Sequence, residues 1–63
     1  MTIIQVSGRE LQADPGRTIA EIVSDNGLHP DSYLYLIDGK PVPMDTILAE
    51  DTVVRAVRVA SGG

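Results

Sequence analysis

Thr52-Val53-Val54-Arg55-Ala56-Val57-Arg58-Val59 carries the strongest strand signal in the chain, and it runs directly into Ala60-Ser61-Gly62-Gly63. Its β-branched residues suit a pleated surface. Successive side chains on a strand point to opposite faces, so Val53 and Val57 lie opposite Val54 and Ala56 and both faces are apolar. A last strand of this kind aims the residues after it away from the body of the domain.

Ala60-Ser61-Gly62-Gly63 is a small-residue tail ending in two glycines. Lacking β-carbons, they adopt any backbone conformation and fit a channel too narrow for a branched residue. That property belongs to a substrate. On such a tail the Gly63 carboxylate can enter another protein's active site and be activated by ATP as an acyl-adenylate, from which a sulfur or amine nucleophile takes the acyl group. Chain ends also fray and tolerate glycine, so the tail acquires meaning only from the module that presents it.

Sixty-three residues make one domain, expected to span 1–63 with a flexible tail over 60–63. A chain this short buries only about 60% of the surface its unfolded form exposes, which leaves little material for an enclosed catalytic pocket. The absence of cysteine removes disulfides, thiolate metal sites and cysteine nucleophiles. A net charge of −4 disfavours nucleic acid and suits a basic protein surface. No run approaches the roughly 20 apolar residues that span a bilayer, and the N-terminus lacks a basic region leading into a long apolar run, so the chain is expected to be cytoplasmic.

Upstream, Thr2-Ile3-Ile4-Gln5-Val6 and Glu10-Leu11-Gln12-Ala13-Asp14, joined through Ser7-Gly8-Arg9-Glu10 with a glycine suited to a tight turn, predict a hairpin whose inward set is Ile4, Val6, Leu11 and Ala13. Asp14-Pro15-Gly16-Arg17 breaks the strand, and Thr18-Ile19-Ala20-Glu21 has the spacing of a capping box. The helix it opens turns Ile19, Ile22 and Val23 to one face and closes at Gly27, with Leu28 folding back. His29-Pro30 forces an extended connection, and His29, the single histidine, has no second ligand with which to share a metal. Tyr33-Leu34-Tyr35-Leu36-Ile37 is apolar at every position, so periodicity cannot choose its inward face. Asp38-Gly39-Lys40 turns the chain into a short edge segment, Pro41-Val42-Pro43, and Asp45-Thr46-Ile47-Leu48 is expected to make one helical turn. One helix covers one face of such a sheet, and the other face must meet water or a partner.

This order of elements, together with Thr18-Ile19-Ala20-Glu21, Leu36-Ile37-Asp38-Gly39-Lys40-Pro41-Val42-Pro43 and Val57-Arg58-Val59-Ala60-Ser61-Gly62-Gly63, resembles the ubiquitin-like β-grasp proteins that end in Gly-Gly. These are the small archaeal modifier proteins and the sulfur carriers of the ThiS and MoaD type. The resemblance covers essentially the whole chain. It implies an α+β fold, a mixed sheet packed on one helix with the first and last strands adjacent and parallel. It also turns Tyr33, Tyr35 and Ile37 towards the helix. Tyrosines stand there where aliphatic residues are usual in the family, and their buried hydroxyls would need hydrogen-bond partners.

By the same resemblance the chain is a modifier or a sulfur carrier and not an enzyme. Gly62 and Gly63 are the site of activation and conjugation, and Leu34, Leu36, Val57 and Arg58 form a partner-docking surface. Lys40, the one lysine, aligns with a turn lysine through which ubiquitin is chained, which makes it a candidate acceptor for self-conjugation. The implied partners are an E1-like adenylating enzyme of the ThiF or MoeB type, which uses the ATP, and target proteins or sulfur-transfer enzymes. The chain itself is expected to be monomeric, with no bound cofactor or metal and no nucleic-acid or membrane partner. A competing expectation is a non-covalent β-grasp interaction module whose glycines are incidental; such a module would be indifferent to a residue appended after Gly63. A catalytic reading has no support, since no nucleophile–histidine set or phosphate loop is present.

Overall fold

Two tight turns set the register of both hairpins. Ser7 and Gly8, at φ 45° and 78°, join β1 (Thr2–Val6) to β2 (Arg9–Ala13), and Asp38 and Gly39, at φ 52° and 78°, join β3 (Tyr33–Ile37) to β4 (Lys40–Val42). Two successive left-handed residues give the mirror-image turn whose twist matches that of the strands it connects. In the computed structural model, which describes residues 1–59, these hairpins are united by a fifth strand, β5 (Val53–Arg58), into one mixed sheet of order β2-β1-β5-β3-β4. The central strand runs parallel to β1 and antiparallel to β3. First and last strands are therefore adjacent and parallel, as the resemblance implies.

Helix α1 (Ile19–Asp25) lies across one face. The Thr18 hydroxyl accepts from the Glu21 backbone N–H at 3.2 Å, and the Thr18 N–H donates to the Glu21 carboxylate at 3.4 Å, completing the capping box. Its far end closes as the sequence predicts. The Leu28 N–H donates to the Val23 carbonyl and the Gly27 N–H to the Ser24 carbonyl, with Gly27 at φ 77°. After the extended His29, Pro30–Ser32 form a single 3-10 turn that leads into β3.

The structure corrects one local expectation. Residues 45–48 make no helical turn: the Thr46 N–H donates to the Pro43 carbonyl at 3.1 Å, closing a tight turn through Met44 and Asp45, and Ile47 beyond it is bridged to Thr18 beside the start of α1. The carbonyls of Thr46 and Met44 accept from the N–H groups of Ile19 and Ala20, at 3.1 and 2.9 Å. Those are helix-start donors with no partner inside the helix. Leu48 donates to the Arg17 carbonyl and accepts from the Gly16 N–H, each at 2.8 Å, and its side chain is buried. A lone helical turn would have satisfied itself and left the helix start to water.

Ile4, Val6, Leu11, Ile19, Ile22, Val23, Tyr35, Leu48, Val54 and Ala56 form one buried cluster, with Ala13, Leu28, Tyr33, Ile37 and Val42 packed around it. The inward face of the first hairpin and the apolar stripe of the helix are those read from periodicity. The parity that periodicity left open is settled by burial, with Tyr35 2% exposed and Leu34 44% exposed on the opposite side. The Tyr35 hydroxyl donates to the Pro30 carbonyl at 2.8 Å, and no buried side-chain polar atom among the described residues lacks a partner.

Candidate functional site

The face of the sheet turned away from α1 is given by the strand registers, because residues directly opposite on neighbouring strands project to the same side. One row is Gln12, Ile3 and Val53; the next is Glu10, Gln5, Arg55, Leu36 and Pro41; and a third pairs Val57 with Leu34. Val53, Leu34 and Val57 are 50%, 44% and 40% exposed, and Leu36 is half-buried. The open face is thus two small apolar groups, Ile3–Val53 and Leu34–Val57, with between them a row that is polar at Glu10, Gln5 and Arg55, its one cation, and apolar at Leu36 and Pro41.

Three of the four residues expected on a docking surface share this face. The fourth does not: Arg58 lies opposite Tyr33 and so falls on the helix side, two residues beyond the buried Ala56. Strict alternation from Val57 decides this, and the same alternation puts Arg55 on the open face instead. Arg55 and Ile3 share this face without having been expected there, although counting in twos from Val57 finds Arg55 as it finds Val53. Lys40 is exposed at the start of β4, paired with Ile37 at the sheet's edge, on the helix side and away from the Leu34–Val57 group. Gly62 and Gly63 lie outside the described residues.

Charge is unevenly distributed. Arg17 is occupied, its guanidinium 3.3 Å from Glu21 and 2.8 Å from Asp25 on the exposed side of the helix. Both hydrogen bonds raise its already high pKa, while Glu21 is held below the usual carboxylate range mainly by Thr18, through its backbone N–H and then its hydroxyl, with Arg17 adding to it. The Met1 amino group is paired with the Asp51 carboxylate and lowers that group's pKa by donating to it. Among the described residues, Arg9, Arg55 and Arg58 form no ion pair. They gather around a groove of about 710 Å³ at the end of the sheet where β5 leaves it, lined also by Gln5, Ser7, Val57 and Glu10, so that three arginines stand against one carboxylate. Also among the described residues, no group of three His, Asp or Glu side chains is placed to hold a metal, and no helix is long and apolar enough to cross a membrane.

The arrangement occupies the open face of the sheet and the end at which β5 leaves it. It offers a partly apolar sheet face with one central arginine, an adjoining basic groove, and a last strand directed towards residues 60–63. Comparison with known proteins matches residues 2–60 to the model of the family described as small archaeal modifier protein 2. An uncharacterized protein of Archaeoglobus fulgidus is 40% identical over 48 residues, covering 76% of this chain and 70% of that one.

Proposed function

The chain belongs to the family of small archaeal modifier protein 2, and from that premise we propose that it is a ubiquitin-like modifier activated through Gly62-Gly63. The Gly63 carboxylate attacks the α-phosphorus of ATP in the active site of an E1-like partner, pyrophosphate leaves, and a mixed anhydride with AMP is formed. A deprotonated lysine amine of a target then attacks the acyl carbon and expels AMP, giving an isopeptide. Alternatively, hydrosulfide, sulfur already at the sulfide level, attacks the acyl carbon, loses its proton and expels AMP, giving a thiocarboxylate. The chain contributes no catalytic group to either step; it contributes a fold that presents the tail and a surface that holds the partner.

The observation that carries the reading is the family match over 2–60 joined to the placement of β5 at the centre of the sheet. This strand is anchored on both sides as far as Ala56 and by β3 through Arg58, so the tail it launches has a fixed origin relative to the open face. A partner gripping Leu34, Leu36 and Val57 would thereby position residues 60–63 for its own active site.

Incubation with an E1-like enzyme of the ThiF or MoeB type, ATP and a sulfur source, followed by intact-mass analysis, tests the proposal. It requires Gly63 to bear a free α-carboxylate, which the starting mass verifies. A product in which one oxygen is replaced by sulfur supports sulfur transfer. Diglycine remnants on partner lysines after proteolysis support conjugation. Failure to form any adenylate with a competent activating enzyme would overturn the reading.

A further inference from the structure

Strand β5 outruns its neighbour. The parallel register stops at Val6 opposite Ala56, where β1 turns away through Ser7 and Gly8, while β5 continues through Val57 and Arg58 with β3 still paired on its other side. Two hydrogen bonds fix which backbone groups face which neighbour. The Ile3 N–H donates to the Thr52 carbonyl, and the Val59 N–H donates to the Ser32 carbonyl. Even-numbered residues of β5 therefore direct their N–H and C=O towards β1, and odd-numbered ones towards β3. Among the described residues, the backbone N–H and C=O of Arg58 accordingly face the place that β1 has vacated.

That place is the basic groove. Arg9, opposite Val6, and Arg58, two residues beyond Ala56, flank it on the helix side of the sheet, while Val57 borders it on the open face. In a chain of net charge −4 these arginines have carboxylates in plenty and, among the described residues, pair with none of them.

We propose that this notch is a binding site for an extended, acidic segment of a partner protein, which adds beside the end of β5 in the position β1 leaves open. Its backbone exchanges hydrogen bonds with Arg58. The side-chain period of two then puts alternate residues on opposite faces. Carboxylates on one side meet Arg9 and Arg58, and an apolar side chain on the other packs beside Val57. The recognised chemistry is thus an alternating acidic and apolar strand. The inference concerns residues 5–10 and 55–58 and holds whether or not Gly63 is activated.

Amide chemical shifts of the full chain, titrated with an acetylated peptide of alternating Asp and Val, test it. Shifts centred on Ser7, Gly8, Val57 and Arg58 are expected, with slowed hydrogen exchange at the Arg58 N–H, which guanidinium contact alone would not cause. Arg9→Glu combined with Arg58→Glu should weaken binding roughly tenfold or more, because like charges are set against each other, and added salt should weaken it in the parent chain. A peptide of alternating Lys and Val should not bind. The proposal is overturned by absent shifts, by shifts confined to Leu34 and Leu36, or by an unprotected Arg58 amide at saturation. It is equally overturned if a single-stranded oligonucleotide moves these amides and the acidic peptide does not, or if they move with protein concentration alone, which would assign the notch to a second copy.

Discussion

The hydroxyl of Tyr35, in the middle of β3, donates to the carbonyl of Pro30, five residues earlier in the chain, at 2.8 Å. Pro30 opens the 3-10 turn that feeds β3, so the bond ties the strand to the turn that starts it. It also accounts for a phenol in a core that is otherwise aliphatic. Tyr35→Phe keeps the ring and removes the bond, and a loss of about 1 kcal/mol is expected by denaturant unfolding. A neutral or stabilised variant would show that the hydroxyl contributes nothing there.

Burial pushes the Tyr35 phenol up from 10.0 to about 12, with Tyr33 and Asp31 adding to the shift. Between these values the unfolded chain releases a proton that the folded chain keeps. Stability contributed by the neutral phenol is complete below about pH 10 and is lost as pH rises through about 12. Phenolate absorbance of a Tyr33→Phe variant, whose single tyrosine is Tyr35, should accordingly titrate well above the ordinary value. A midpoint near 10.0 would mean that water reaches the ring hydroxyl.

Leu48 and Val57 should respond oppositely to substitution. Leu48→Ala removes a buried side chain from the core cluster and should cost about 2–5 kcal/mol. Val57→Asp lies on the open face and should leave the melting temperature nearly unchanged while weakening adenylation by the activating enzyme. A large thermal loss in Val57→Asp would contradict its exposed placement.

Removing Gly62 and Gly63 should abolish adenylation with little effect on unfolding, since the core cluster lies wholly within residues 4–56. An adenylate formed by the truncated chain, detected by pyrophosphate release, would dissociate function from the diglycine.

Lys40→Arg should abolish self-conjugates that map to the turn after β3, because it keeps the charge and removes the amine nucleophile. Apart from Met1, whose amino group is paired with Asp51, Lys40 supplies the one amine in the chain. Higher-mass self-conjugates that persist undiminished in the variant would make Lys40 an ordinary turn residue.

Local chemistry was legible wherever its partners are local. The capping box joins Thr18 to Glu21 across three residues, the helix closes on Gly27 within five, and each hairpin closes across two turn residues, so each could be found from spacing alone. The candidate site was legible in part. Leu34, Leu36 and Val57 were reached through resemblance, whereas Arg58 was grouped with them by proximity along the chain and belongs by alternation to the other side.

By itself, then, the sequence determined the elements, their order and the tail that leaves the last strand, because turn conformations, caps and side-chain periods are properties of a few neighbouring residues. Three things were decided only by tertiary structure. Residues 46–48 form no helical turn because their hydrogen-bond partners, Gly16, Arg17 and Ile19, lie far back along the chain, before and at the start of α1. The partner of the buried Tyr35 hydroxyl is Pro30, which an all-apolar run could not reveal even though the resemblance had turned the ring inward. The notch beside Arg58 exists because β1 turns back at Ser7 while β5 does not, a difference in strand length that appears only when the two ends of the chain are laid side by side.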